Sequence, residues 1–144
     1  MNNKLKYEKN FIPCFANEGD EIFANGIFEF NISKMIKFVE SHETEFEITE
    51  LRVSDYYRGF SGVNESHVDS VILEQPVIIA EISPNRFNLI DGNHRVEKAR
   101  RNSIQTLPCY RLNVAQHYRF LTSERAYKAY VEYWNEKLSE RDKL

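Results

Sequence analysis

The run Val77-Ile78-Ile79-Ala80-Glu81-Ile82 constrains the fold of this chain more than any other segment. An almost unbroken apolar stretch of strand length cannot turn one face to water, so it predicts a strand buried on both sides. Pro76 introduces it and Pro84-Asn85 marks a turn, after which residues 87–90 return as a second strand. Asp91-Gly92-Asn93 breaks that strand, and a helix is expected from about His94, with Val96 and Ala99 on its buried face. Residues 104–107 then lead through Pro108 into a last strand over 109–112. Proline has no N–H to give to a ladder, so Pro108 predicts a strand start or an edge.

The flanking segments read less sharply. Gly26 precedes Ile27-Phe28-Glu29-Phe30, a short run with strand alternation, and Ser33 is the expected cap of a helix bearing Met35, Ile36 and Val39. Residues 45–53 alternate as one or two strands through Phe46, Ile48, Leu51 and Val53. Asn64 is placed to cap a short helix carrying Val68, Val71 and Ile72. Residues 122–140 form the clearest helix, because Ala126, Tyr127, Tyr130, Val131, Trp134 and Leu138 recur at helical spacing. That aromatic face is expected to pack across its own domain. Residues 1–20 have no periodicity and are expected to form an arm packed by Phe11, Ile12 and Phe15. No repeat or linker divides the chain, so residues 1–144 are expected to form one α/β (α+β) domain: a mixed sheet, surrounding helices and a long C-terminal helix.

Composition narrows the function classes. The two cysteines, Cys14 and Cys109, are far apart in sequence and suggest neither a zinc site nor a disulfide framework. Charged residues interrupt the first ten positions, and no apolar stretch reaches the roughly 20 residues needed to span a bilayer. The expectation is therefore a cytoplasmic protein with no membrane partner. Net charge is −3, but residues 18–81 carry −10 and residues 86–119 carry +5. A basic segment in an acidic chain predicts a local anion site rather than a broad nucleic-acid footprint. Arg100 and Arg101 belong to that segment, with solvation of one helix face as their alternative role.

The chemistry is expected where the strand breaks. The first-turn N–H groups of a helix point outward with a partial positive charge. Gly92 carries no side chain to obstruct an oxyanion, Arg95 offers a planar charged fork, and His94 a donor that also carries protons. Asp91, Gly92, Asn93, His94 and Arg95 together form a candidate phosphate cradle. The structural alternative is an ordinary turn with Asp91 as a cap.

Gln75-Pro76-Val77-Ile78-Ile79, then Leu89-Ile90-Asp91-Gly92-Asn93-His94-Arg95-Val96-Glu97-Lys98-Ala99, then Ile104-Gln105-Thr106-Leu107-Pro108-Cys109-Tyr110 follow one another in an informative order. The set resembles the ParB/sulfiredoxin-like superfamily across roughly residues 64–113, where a short helix, a "QPI" strand, an "IDGHHR" helix start and a "tIPv" strand succeed one another. The resemblance implies that Asp91, Gly92, Asn93, His94 and Arg95 bind nucleotide or nucleic-acid phosphate. Sulfiredoxins place a catalytic cysteine directly before the His-Arg pair, where this chain has Asn93, which disfavours sulfinic acid repair. Partitioning proteins favour Glu-Arg-Arg there and continue into a DNA-binding domain, whereas only one helix of note follows here. The spelling is nearest to that of the kinase-like members.

Three functions follow from that resemblance. The first is a domain that binds a nucleoside triphosphate or diphosphate with Mg²⁺ and performs kinase-like phosphoryl transfer or nucleotide hydrolysis. His94, Arg95 and Asp91 would act there, with Gly92 and Asn93 holding phosphate and with Glu50, Asp55, Glu74 or Glu81 as the base. The second is a non-catalytic binding or regulatory module using the same cradle, with the loop Tyr56-Tyr57-Arg58-Gly59-Phe60-Ser61-Gly62 as a stacking lid. The third is a nuclease or nucleic-acid binder, which the chain's acidity disfavours.

Overall fold

A computed structural model describes residues 3–56 and 64–142. In chain order the elements are β1 (Ile22–Ala24), β2 (Glu29–Asn31), α1 (Ile32–Glu40), β3 (Ile48–Arg52), α2 (Val53–Tyr56), α3 (Glu65–Ser70), β4 (Val77–Ser83), β5 (Arg86–Asp91), α4 (Asn93–Arg101), β6 (Thr106–Leu112), α5 (Val114–His117) and α6 (Glu124–Asp142). A four-stranded sheet has the order β3-β6-β4-β5, and β1 pairs with β2 in a separate hairpin. The large sheet is mixed: β4 and β6 run parallel, while β3–β6 and β4–β5 are antiparallel. The chain is thus of the α+β class, with a long C-terminal helix.

The apolar run at 77–82 is central to the sheet because it has two cores to fill. Ile78, Ala80 and Ile82 of β4 enter one cluster with Phe28, Phe30, Met35 and the inner face of α6. Val77 and Ile79 point the other way, toward Leu89, Val96, Ala99, Leu107 and Cys109. The period of two distributes one continuous hydrophobic stretch between both layers.

Pro108 lies inside β6, which is flanked by β3 and β4, so the expectation of a strand start or an edge is corrected. Val53 N–H donates to Gln105 O at 2.9 Å, which sets the antiparallel alternation with β3. Pro108 sits opposite Glu50 in that register, one residue out of phase with the bonded positions, so its nitrogen faces the β4 side. Pairing with β4 begins only at Cys109, and the missing N–H therefore breaks no ladder bond.

Ser33 does not cap α1. Asn31 does, accepting from Lys34 N–H at 3.0 Å while its amide donates to Asp20 at 2.9 Å. Ser33 Oγ instead accepts from Glu21 N–H at 2.7 Å. Asn64 caps α3 as expected, but the helix ends at Ser70, leaving Val71 and Ile72 beyond it. Residues 45–53 yield the single strand β3, and Val53 already begins α2.

α6 packs across its own domain. Tyr130 Oη donates to the carbonyls of Glu81 and Ile82, and Trp134 Nε1 donates to Asn3 O at 2.9 Å. The N-terminal arm is tied there too: Asn135 exchanges two hydrogen bonds with the Leu5 backbone, and Phe11 stacks on Tyr127 at 3.9 Å. Ile12 and Phe15, expected to hold the arm, are 83% and 65% exposed. Phe11 packs as expected, and Leu5 and Cys14 join it in place of the other two. Among the described residues, no helix is long and apolar enough to cross a membrane.

Candidate functional site: a cleft at the start of α4

The turn between β5 and α4 is built by two constraints. Gly92 has φ +119°, a conformation that L side chains rarely adopt. A Cβ there would also collide with the Val77 side chain, whose Cβ would lie only 2.8 Å away. Glycine thus lets α4 start flush against β4. Its missing side chain would have pointed into the core rather than into solvent.

Arg95 completes the turn. Its guanidinium donates to Gln75 O at 2.8 Å and Pro76 O at 2.6 Å through Nη1, and to Asp91 Oδ2 at 2.8 Å through Nη2. Both charged groups of this pair are about nine-tenths buried. One guanidinium therefore ties the end of β5, the start of α4 and the entry to β4 together. The fork that sequence reasoning offers to a phosphate faces the chain's own carbonyls, with Nε–H and one Nη2–H left over. Lys98 reinforces the arrangement by donating to Val71 O at 2.9 Å.

The outcome is an open helix end. α1, α3 and α5 receive side-chain caps from Asn31, Asn64 and Asn113, and Ser123 Oγ accepts from Ala126 N–H at the start of α6. α4 has no side-chain cap. Its first internal bond runs from Val96 N–H to Gly92 O, at 3.0 Å. Among the described residues the N–H groups of Asn93, His94 and Arg95 have no acceptor. They open on a cleft of about 420 Å³ lined by Glu21, Ile36, His67, Val71, Ile72 and Ile90 besides the turn itself.

Two imidazoles stand at this opening. His94 Nε2 accepts a hydrogen bond from Asn64 N–H at 3.1 Å, which leaves the proton of the neutral ring on Nδ1. Burial, and then the neighbouring His67, hold His94 below the usual imidazole range. The two rings meet edge to face at 4.4 Å. His67 is exposed on α3 and its ring makes no hydrogen bond among the described residues. Glu21 lies across the cleft, its backbone pinned by Ser33 and by Ile32 N–H at 2.8 Å. Desolvation, and then the Asp91 charge, push its carboxyl above the usual range, while Arg95 and His67 oppose them.

All five residues expected at the site, Asp91, Gly92, Asn93, His94 and Arg95, thus line one cleft. Glu50, Asp55, Glu74 and Glu81, weighed as bases, do not line it. Glu81 instead accepts from Asn85 N–H and Val114 N–H at the far end of β4. The residues that sequence reasoning missed are Glu21 and His67. Neither has a sequence signal, since each reaches the cleft through tertiary packing. Arg101 pairs with Glu65 at 2.7 and 2.8 Å and Arg100 with the buried Glu97 at 2.9 Å, so both hold α4 in place. Of the loop considered as a lid, residues 57–62 lie outside the described residues.

No family model matches this sequence, and neither a curated protein nor a solved structure is significantly similar to it.

Proposed function

We propose that the cleft at the start of α4 binds a nucleotide by its phosphate end, as the resemblance to the ParB/sulfiredoxin-like superfamily implies. The observation that carries this reading is the uncapped N-terminus of α4, whose N–H groups, unpartnered among the described residues, open into a cleft of ligand size. The Asp91–Arg95 pair neutralises itself, so what is offered to a ligand comes from the helix end and the imidazole donors. Ile36, Val71 and Ile72 form an apolar wall on which a base could rest, and Ile72 is 62% exposed.

Glu21, which forms no ion pair among the described residues, opposes a bare polyphosphate. Among the described residues no group of three or more His, Cys, Asp or Glu side chains is arranged to hold a metal ion. Mg²⁺ would therefore arrive on the phosphates, which suits an ion that keeps much of its water and needs few protein ligands. Its contribution would be to reduce the ligand's charge before that carboxylate.

The reaction class that goes with such a site is phosphoryl transfer or nucleotide hydrolysis, with His94 and the α4 N–H groups stabilising charge on the transferred group. Binding without turnover is the second reading. It is favoured by one observation: Asp91, the carboxylate nearest the helix end, is engaged by Arg95 and poorly placed to act as a base. Calorimetric titration of ATP, ADP, CTP and GTP, each with and without Mg²⁺, separates the outcomes. Binding that is lost in His94→Ala supports the cleft, and product formation in the same samples decides between catalysis and binding alone. A protein that binds none of the four refutes the nucleotide reading.

A further inference from the structure

Glu21 carries negative charge into a cleft read as an anion site, while Arg95 is committed to Asp91 and to two backbone carbonyls. Some other group must tip the balance toward a doubly charged phosphate. Lys98 is engaged with Val71 O and Asp69 O. Arg101 is engaged with Glu65. His94 uses Nε2 to accept from Asn64, and protonating that nitrogen would remove the acceptor and break the tie between α3 and α4. His67 has no such obligation: it lines the cleft, is exposed, and neither ring nitrogen has a partner among the described residues.

We propose that His67 is the specificity-determining residue of the cleft, selecting a terminal phosphate dianion over a phosphodiester by taking up a proton as the dianion binds. The inference rests on the reading that the cleft holds phosphate. An imidazole is the one side chain whose ordinary titration lies close enough to neutrality for a ligand's charge to switch it. The groups facing His67 are His94 and Arg95 from α4, Glu21 from the segment before β1 and Asp91 from the end of β5, with Glu65 and Asp69 on α3 itself. Arg95 is neutralised by Asp91, so that pair leaves no net charge beside the ring. His94 holds its Nε2 as an acceptor for Asn64 N–H, so it presents a neutral ring beside His67. A dianion added to this surrounding shifts His67 toward its protonated form, and the charged ring then donates to the phosphate oxygens. A diester has one charge fewer and two non-bridging oxygens in place of three, so the same uptake does not repay the lost hydration.

The test is a pH titration of the His67 ring by NMR, with inorganic phosphate and with dimethyl phosphate as probes, while the backbone amides of Asn93, His94 and Arg95 are followed in parallel. Inorganic phosphate is expected to move those amides and to raise the His67 midpoint by about one pH unit. Dimethyl phosphate is expected to leave the midpoint in place. In His67→Gln the amides should still respond, with phosphate binding weaker by up to about tenfold, the full factor being reached only below the midpoint of the free ring. Amides that respond while the His67 midpoint stays fixed would overturn the role of His67 and leave the phosphate site standing. Amides that do not respond would overturn the phosphate reading, and this inference with it.

Discussion

The two faces of the sheet are held by different chemistry. On the α6 face, the large rings of Tyr130, Trp134, Phe28 and Phe30 are buried almost completely, and their polar atoms are satisfied by backbone carbonyls. On the α4 face the buried apolar residues are smaller, and ions join them: Arg95 with Asp91, and Glu97 with Arg100. The aromatic face gains from apolar area and is indifferent to the direction of its helix. The ionic face is built around one helix end, and its hydrogen bonds hold that end open. The open helix end thus belongs to the ionic face, while Ile36 and Ile90 of the aromatic face's cluster also line its cleft.

Four substitutions can break or sharpen that division. Trp134→Ala removes a buried ring and its bond to Asn3, and should cost about 4 kcal/mol in denaturant unfolding while leaving any ligand affinity of the remaining folded protein intact. Arg95→Ala strands the buried Asp91 carboxylate and two carbonyls. It should cost about 3 kcal/mol and abolish binding at the cleft together with stability. An Arg95→Ala protein as stable as the native chain would show that the ionic face is ornamental.

His117 tests the aromatic face by pH. It is wholly buried, its Nε2 lies 2.6 Å from Glu81 O, its Nδ1 has no partner among the described residues, and desolvation lowers its pKa to about 4. The unfolded chain binds this proton near pH 6.5 and the folded one only near 4. Stability is thus fully present above about 6.5 and falls as pH drops through that window, by about 3 kcal/mol in all. His117→Phe should flatten this part of the acid limb, as measured by urea unfolding from pH 7 to pH 4. The smallest effect is expected at the junction of the faces. Gly92→Ala combines strain at positive φ with overlap against Val77, and should cost about 2 kcal/mol. Its signature would be loss of cleft binding beyond what the stability change explains, read by calorimetry well below the melting temperature.

The part of this division that is legible in the sequence is the part written in periodicity. Residues 77–82 declare a doubly buried strand and α6 displays its aromatic stripe, because side-chain period alone encodes both. The break at Asp91-Gly92-Asn93 also announces the start of α4. What cannot be read locally is where polar groups find partners. Arg95 reaches carbonyls some twenty residues earlier, Asn31 and Ser33 are both plausible caps until the Glu21 backbone chooses between them, and Glu21 itself enters the cleft by way of α1. Pro108 misleads for a related reason. A proline is excluded from a central strand only where its nitrogen faces a paired neighbour, and that depends on where β4 begins.

The central claim is that the open end of α4 is where this molecule holds phosphate. A crystal structure determined in the presence of pyrophosphate and Mg²⁺ tests it most directly. The account predicts a phosphate group within hydrogen-bond distance of the Asn93 and His94 N–H groups, with the His67 ring turned toward it. The contradicting result is a vacant α4 terminus with pyrophosphate seated elsewhere, for which the groove lined by Arg86, Lys137 and Arg141 is the obvious rival.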